Sequence, residues 1–259
     1  MLNLLTAERI KLMQSKKLWI VLGILFLLPI YQAVNSRVAV HYGAELDQVI
    51  DTVINGASGI LMMDKNGLTV LLVMSAFISF FIGEEFQHGT IRNALSLGRS
   101  RTHYYLSKFV VAALLALVGV IVMTAIGMIS YSIVFGFGEV AGITDYFFFA
   151  IKSFSTLYLL ILANVSIYVM ISFLTKSSSS SLIWSFLYTI GTGFGAGVFQ
   201  QFEHFEHLTF WFTESFLFYV DFATPAGIAR FPEMALVSLI TIVISSALGI
   251  FLFKRTDIK

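Results

Sequence analysis

The chain has no cysteine, only three prolines and little charge. Without cysteine there is no disulfide framework and no thiolate metal site. Charged residues fill 12% of the 259 positions, where an ordinary soluble domain carries about 25%. So few charges cannot clothe a water-facing surface. Disorder is excluded by the same composition, because disordered chains combine low hydrophobicity with high net charge. A net charge of +1 gives no electrostatic footprint for nucleic acid. The sequence also lacks a G-x-x-x-x-G-K-[ST] phosphate-binding loop, so ATP hydrolysis is not expected of this chain.

What the chain has is hydrocarbon. Apolar residues make up 58% of it, 26 of them phenylalanine, and the mean hydropathy is +0.87. Six runs approach the roughly 20 apolar residues that carry a helix across a bilayer core of about 30 Å. They cover residues 18–34, 68–83, 109–135, 146–174, 182–199 and 235–253. Helices satisfy every backbone N–H and C=O within lipid, whereas a barrel needs short alternating strands, and these runs are long and continuously apolar. The expected fold is an all-α integral membrane protein, with residues 1–259 forming a single transmembrane domain.

Charge placement orients the spans. With the N-terminus in the cytoplasm, Arg37, Lys65, Lys152 and Arg230 fall outside and the other twelve of the 16 basic residues fall inside, as the positive-inside rule prefers. Eleven acids, among them Glu45, Asp47, Asp51, Glu203 and Glu214, fall outside. Six spans return the C-terminus to the cytoplasm. Val38 and Val40 flank Ala39 and make a poor leader-cleavage site, so the first span reads as an uncleaved anchor.

The connections carry further expectations. Residues 1–17 read as an interfacial helix, with Met1, Leu2, Leu5, Leu12 and Met13 on one face and basic side chains toward anionic headgroups. The first external loop, residues 35–66, is long enough to hold structure of its own, and its residues 43–63 read as an external helix broken at Gly56. Thr175, Lys176 and five serines read as a flexible inner turn without chemistry. The last external stretch, residues 200–233, is apolar, acidic and aromatic, and suits short helices or a re-entrant segment at the outer leaflet.

The segment GEEFQHGTIRNALSLGRSRTHYYLSK, residues 83–108, is the most informative. Glu84 and Glu85 leave the membrane together. Gly89 permits a turn, Thr90 suits an N-cap and Gly98 a C′ position. Between them lies a two-turn helix, 90–97, with Ile91 and Leu95 on one face. Arg99, Arg101, Tyr104, Tyr105 and Lys108 lead back into lipid. A helix this short is not stable alone and needs a partner surface.

This segment resembles the connection between the second and third spans of type-2 ABC exporter permeases. Their pattern runs acid, Gly-Thr, basic residue, short apolar helix, Arg, aromatic or aliphatic stretch, Lys. Glu84 or Glu85, Gly89, Thr90, Arg92, Leu95, Arg101, Tyr105 and Lys108 stand in those places. One departure is Gly98, where the pattern often has Pro. The six-span layout, the leader helix and the long last external loop are also similar.

The resemblance implies a coupling helix that sits in a groove of a separate ABC ATPase (nucleotide-binding) subunit. Glu84, Glu85, Gly89, Thr90, Ile91, Arg92, Leu95, Arg99 and Arg101 would form the ATPase-coupling segment. No cofactor is expected on this chain, ATP and magnesium being expected on the partner. A working pore would need a second permease copy or paralogue in a bacterial cytoplasmic membrane. The function implied is export of an amphipathic or hydrophobic cargo, peptide or antibiotic, as in peptide export, bacteriocin immunity and antibiotic resistance.

Gly191, Gly193, Gly195 and Gly197 form two interleaved G-x-x-x-G pairs that allow close helix approach, either within the chain or against a second permease. Lys152 and Asn164 are polar positions within lipid and candidates for the cargo pathway. The cluster Glu203, His204, Glu206, His207 lacks the spacing of H-E-x-x-H or H-x-x-E-H and reads as a solvated outer face, not a metal site. Two alternatives stand beside the exporter. One is an intramembrane protease using Glu84 and Glu85, although Arg92 lies seven residues beyond Glu85, not four, and the matching His motifs are absent. The other is a non-catalytic membrane scaffold.

Overall fold

A computed structural model describes residues 2–41, 55–96, 98, 100–139, 143, 145–202, 204–222 and 224–256. Every regular element among them is helical. In chain order they are α1 (Leu2–Gln14), α2 (Lys16–His41), a 3-10 stretch (Ala57–Asn66), α3 (Gly67–Gln87), α4 (Thr90–Ser96), α5 (Arg101–Phe135), α6 (Tyr146–Thr175) and α7 (Ser178–Gln200). A second 3-10 stretch (Glu206–Trp211), α8 (Thr213–Tyr219), α9 (Pro225–Ala229) and α10 (Phe231–Arg255) follow. Six helices, α2, α3, α5, α6, α7 and α10, are long and apolar enough to cross a membrane. The molecule is an all-α membrane protein.

Local chemistry sets the helix ends. Ser100 accepts from the His103 N–H at 3.2 Å to start α5, and Asp145 accepts from the Phe148 N–H at 3.3 Å to start α6. Proline in its first turn suits the start of α10, and Lys254 and Arg255 face the negative end of its dipole. The long helices run past the apolar limits of the sequence; α5 begins at Arg101, which places Lys108 two turns inside it.

The centre of the bundle is α6, packed against α3, α5, α7, α8 and α10. Its Leu160, Ile161, Asn164, Val165 and Tyr168 are wholly buried. Lipid tails are as apolar as the helices, so cohesion rests on close packing and on interhelical hydrogen bonds. Ser172 bonds Ser181 at 2.6 Å, Ser181 donates to Ser79 at 2.9 Å, Tyr168 meets Thr189 at 2.6 Å and Ser166 meets Ser245 at 2.6 Å. These contacts stitch α6 to α7, α3 to α7, and α6 to α10.

The serine run departs from the flexible turn expected of it. Lys176, in the left-handed region at φ 55°, and Ser177 make the whole turn, and the next four serines are the first turn of α7. Their small side chains let α7 start against α3: a Cβ on Gly83 would lie 2.5 Å from the Ser178 nitrogen.

At the opposite end, the 3-10 stretch packs on α5, and the Gly56 and Ala57 N–H groups donate to Gly136 and Phe137 carbonyls at 2.9 and 2.8 Å. The stretch Ala57–Asn66 is 3-10, not α-helical. Residues 42–54, which include Glu45, Asp47 and Asp51, lie outside the described residues. Short helices precede the last span, and one of them, α8, enters the bundle between α3, α6, α7 and α10.

Candidate functional site

The short helix α4 joins α3 to α5. Glycine makes both corners: Gly89 has φ +67° and Gly98 φ +80°, a region that side-chain-bearing residues rarely adopt. Gly98 donates to the Leu95 carbonyl at 3.0 Å, as a C′ residue does. Thr90 does not cap by accepting a bond. It is the first residue of α4, and its hydroxyl donates to the Glu85 carbonyl at 3.2 Å, while the Gly89 carbonyl accepts from Asn93. The helix ends at Ser96, and Leu97 lies outside the described residues.

A helix of seven residues persists only if its apolar stripe is buried. Here Ile91 is buried and Ala94 and Leu95 pack on the protein's own core. The apolar face of Ile91 and Leu95 therefore turns toward the bundle, where α3 packs on α4. The outward face of α4 consists of Arg92, Asn93 and Ser96. Arg99 lies outside the described residues.

Above α4 sits a buried ion cluster. Lys108 is wholly buried; its Nζ lies 2.5 Å from Glu8 and 2.6 Å from Glu85, with the Phe81 ring 4.4 Å away. Glu85 also takes hydrogen bonds from Tyr104 and from Lys11. Burial pushes the Glu8 carboxyl above the ordinary carboxylate range, against the pull of the Lys108 ammonium. One carboxylate of α3 thus joins α1 through Lys11 and α5 through Tyr104 and Lys108, while its own carbonyl holds Thr90 of α4. The neighbouring Glu84 is half-buried and pairs with Lys17 of α2. Neither acid is free for acid–base work: both are spent on ion pairs.

Arg101 turns away from α4. Its Nη1 donates to the carbonyls of Phe253, Lys254 and Thr256 at 2.9, 2.9 and 2.6 Å, and its guanidinium lies over the Phe253 ring. These carbonyls are the ones the last turn of α10 leaves without helical partners. The leader, α1, docks on α5 through Glu8, and its Arg9, Ile10 and Met13 stay exposed. The result is a plate of α1, α3, α4, α5 and the end of α10, tied by charged hydrogen bonds.

Sequence reasoning missed Glu8, Lys11 and the roles of Tyr104 and Lys108. The signal was available: Glu8 is the lone acid of a leader otherwise basic, and Lys108 stands at the edge of an apolar run. Each is costly unless the other is nearby.

The remaining candidates are dispersed. Gly193 and Gly197 are used inside the chain, where an added Cβ would strike Phe218 and Tyr219 of α8, whereas Gly191 and Gly195 face open space. Lys152 is exposed on α6. Asn164 lies inside the bundle; its Nδ2 donates to the Leu160 carbonyl at 3.0 Å and to Thr213 Oγ1 at 2.9 Å. Beside it is Glu214, which the sequence placed in an external loop and which is wholly buried on α8. Among the described residues no three His, Asp or Glu side chains gather to hold a metal; Glu203 lies outside them.

The family model described as ABC-2 family transporter protein matches residues 4–192, which takes in the leader, α4 and the ion cluster. Comparison with curated proteins gives no match.

Proposed function

The chain belongs to the ABC-2 family of transporter proteins, and on that premise we propose that α4 is the element through which a separate ATPase drives export. As a family member the chain is a multi-pass membrane permease subunit, and the family implies an ABC ATPase as partner. In this reading α4 and both termini face the cytoplasm of a bacterial cell, ATP and magnesium sit on the partner, and a second permease, identical or related, completes the pore.

The observation that carries the reading is the division of α4 into two faces. Ile91 and Leu95 fasten it to the bundle, and Arg92, Asn93 and Ser96 remain outward for a partner groove. Closure of the ATP-bound partner then displaces α4, and Thr90 and Glu85 pass the displacement to α1, α3 and α5. Arg101 extends it to α10. Nucleotide drives the switch only through unequal affinity for the inward and outward states. Glu84, Glu85 and Arg101 act as ties within the permease, and Arg92 acts toward the partner.

The second permease fits the open side of α7, where Gly191 and Gly195 lie among exposed Leu187 and Phe194. The cargo is an amphipathic or hydrophobic peptide or antibiotic. A groove of about 890 Å³ between α6, α7 and α10, lined by Trp184, Leu187, Tyr188 and Ile244, supports an apolar cargo; its size falls within the range of about 300–1,000 Å³ of small-ligand pockets. Glu84 and Glu85 offer no support for an intramembrane protease, since both are held in ion pairs.

The test is co-purification with the cognate ATPase, followed by an ATPase assay. Arg92→Glu is expected to insert and fold normally yet lose the partner or its stimulation. Unaltered stimulation by a folded Arg92→Glu protein would remove the role given to α4.

A further inference from the structure

Two cavities adjoin at the basic end of the bundle. One, of about 440 Å³, is a groove between α2 and α3 lined by Ile20, Ile24, Leu72, Phe80 and, from α7, Phe186. The other, of about 380 Å³, is bordered by the polar side chains of Lys11, Ser15, Glu84, His88 and Thr90 beside Phe77 and Phe81. Lys17 and Phe77 border both. A molecule filling the pair has a charged head, a bend at Lys17 and a hydrocarbon tail. We propose that this composite site holds an anionic phospholipid of the inner leaflet, its phosphate against Lys17 and Lys11 and one acyl chain along the α2–α3 groove.

Length suits one acyl chain. On α3 the groove runs from Phe80 to Thr69, eleven residues at about 1.5 Å each, or roughly 16 Å, and the acyl chains of one leaflet span half of a bilayer core, about 15 Å.

Charge selects the head. Both carboxylates bordering the second cavity are paired, Glu85 with Lys108 and Lys11 and Glu84 with Lys17, and at this end of the bundle Arg9, Lys11, Lys16, Lys17 and Lys108 outnumber Glu8, Glu84 and Glu85 by two. Each Lys ammonium has three donors, and Lys11 and Lys17 keep 49% and 42% of their side chains exposed. Arg9 on α1 and Lys16 at the start of α2 stand exposed and make no ion pair among the described residues. The surplus is cationic and fits phosphate.

Access favours membrane lipid over exported cargo. Ile20 and Ile24 are 61% and 41% exposed on the flank of the bundle, so the groove opens sideways to the leaflet. A phosphate seated there touches α1, α2 and the first residue of α4, and braces the leader against the plate. This inference uses the cytoplasmic orientation of the basic end but not the ATPase-docking role of α4.

The experiment uses the full-length protein in nanodiscs of equal parts phosphatidylglycerol, phosphatidylethanolamine and phosphatidylcholine, released into native mass spectrometry. Retention of one phosphatidylglycerol per chain, in preference to the other two, is expected. Ala76→Trp, which fills the groove from α3, is expected to weaken retention about tenfold, equivalent to roughly 1.4 kcal/mol. Ile20→Trp, on an exposed flank that tolerates bulk, should do the same, and Leu236→Trp on the exposed face of α10 should not. Equal retention of the three lipids overturns the proposal. So does undiminished retention by an Ala76→Trp or Ile20→Trp protein of normal helicity, or stoichiometric displacement of the lipid by a hydrophobic peptide. ATPase stimulation is measured separately, so a failure of α4 docking leaves the lipid result standing, and the reverse.

Discussion

Glu8 and Lys108, one hundred residues apart in the chain, meet at 2.5 Å inside the protein. The contact anchors the leader helix to the third span and does so with charge in a place where apolar packing was available. A buried ion pair is weak evidence for net stability, because the desolvation of both ions offsets their attraction; removing one partner, however, strands the other.

Lys108→Met is therefore expected to destabilise the protein by about 3–5 kcal/mol, seen as a large drop in the thermal midpoint of the purified protein in detergent. Glu8→Gln added to Lys108→Met should return part of that loss, because one stranded carboxylate is then gone, while Glu85 keeps Lys11 and Tyr104. A double variant no more stable than Lys108→Met alone would show that Glu8 and Lys108 are not coupled.

The glycines of α7 separate two kinds of contact. Gly193→Val forces a side chain into Phe218, and overpacking of this kind costs about 1–3 kcal/mol. Gly191→Val meets open space and should leave the thermal midpoint of the monomer within about 0.5 kcal/mol of wild type, as for surface substitutions generally. If α7 faces a second permease, Gly191→Val instead lowers the dimer fraction in detergent, read by size-exclusion with light scattering. Equal loss of monomer stability in both variants would contradict the two-sided use of this helix.

These cases show what the sequence made legible. Six apolar runs are enough to give six spans, since length and hydropathy alone decide whether a helix suits lipid. Gly98 and the short apolar stripe of α4 were also readable, because a corner and a buried face leave local signatures. The partners were not. Periodicity put Ile91 and Leu95 on one face but did not say which surface that face meets. Arg101 reads as a membrane-edge cation, and only the return of α10 supplies the carbonyls it binds. Glu214 sat in a stretch whose position between two spans implied exposure, and its burial depends on α8 folding back among four helices. In each case the missing information was a contact between distant segments.

Glu214 yields the third expectation. It is wholly buried, with hydroxyls of Tyr188, Thr192 and Thr213 as its neighbours and no basic side chain paired with it among the described residues. An isolated carboxylate in such surroundings is costly, and burial pushes the Glu214 carboxyl up to about 7, which favours the protonated form over the range where an ordinary Glu is ionised. Glu214→Gln, neutral and nearly isosteric, should shift the thermal midpoint by no more than about 1 kcal/mol of stability, the size of one hydrogen bond. Glu214→Ala, which leaves a void and unpaired neighbours, should cost about 2–5 kcal/mol. A Gln variant as unstable as the Ala variant would mean that the native carboxyl is ionised.

Arg101 reaches across 152 residues to the Phe253 carbonyl. Translation runs in one direction, so this arginine waits, emerged from the ribosome, until the final span has been threaded into the membrane. Glu8 waits likewise for Lys108. The plate is thus completed only once α10 has been made, and a nascent polypeptide stalled before residue 253 leaves the Arg101 guanidinium without these carbonyl partners.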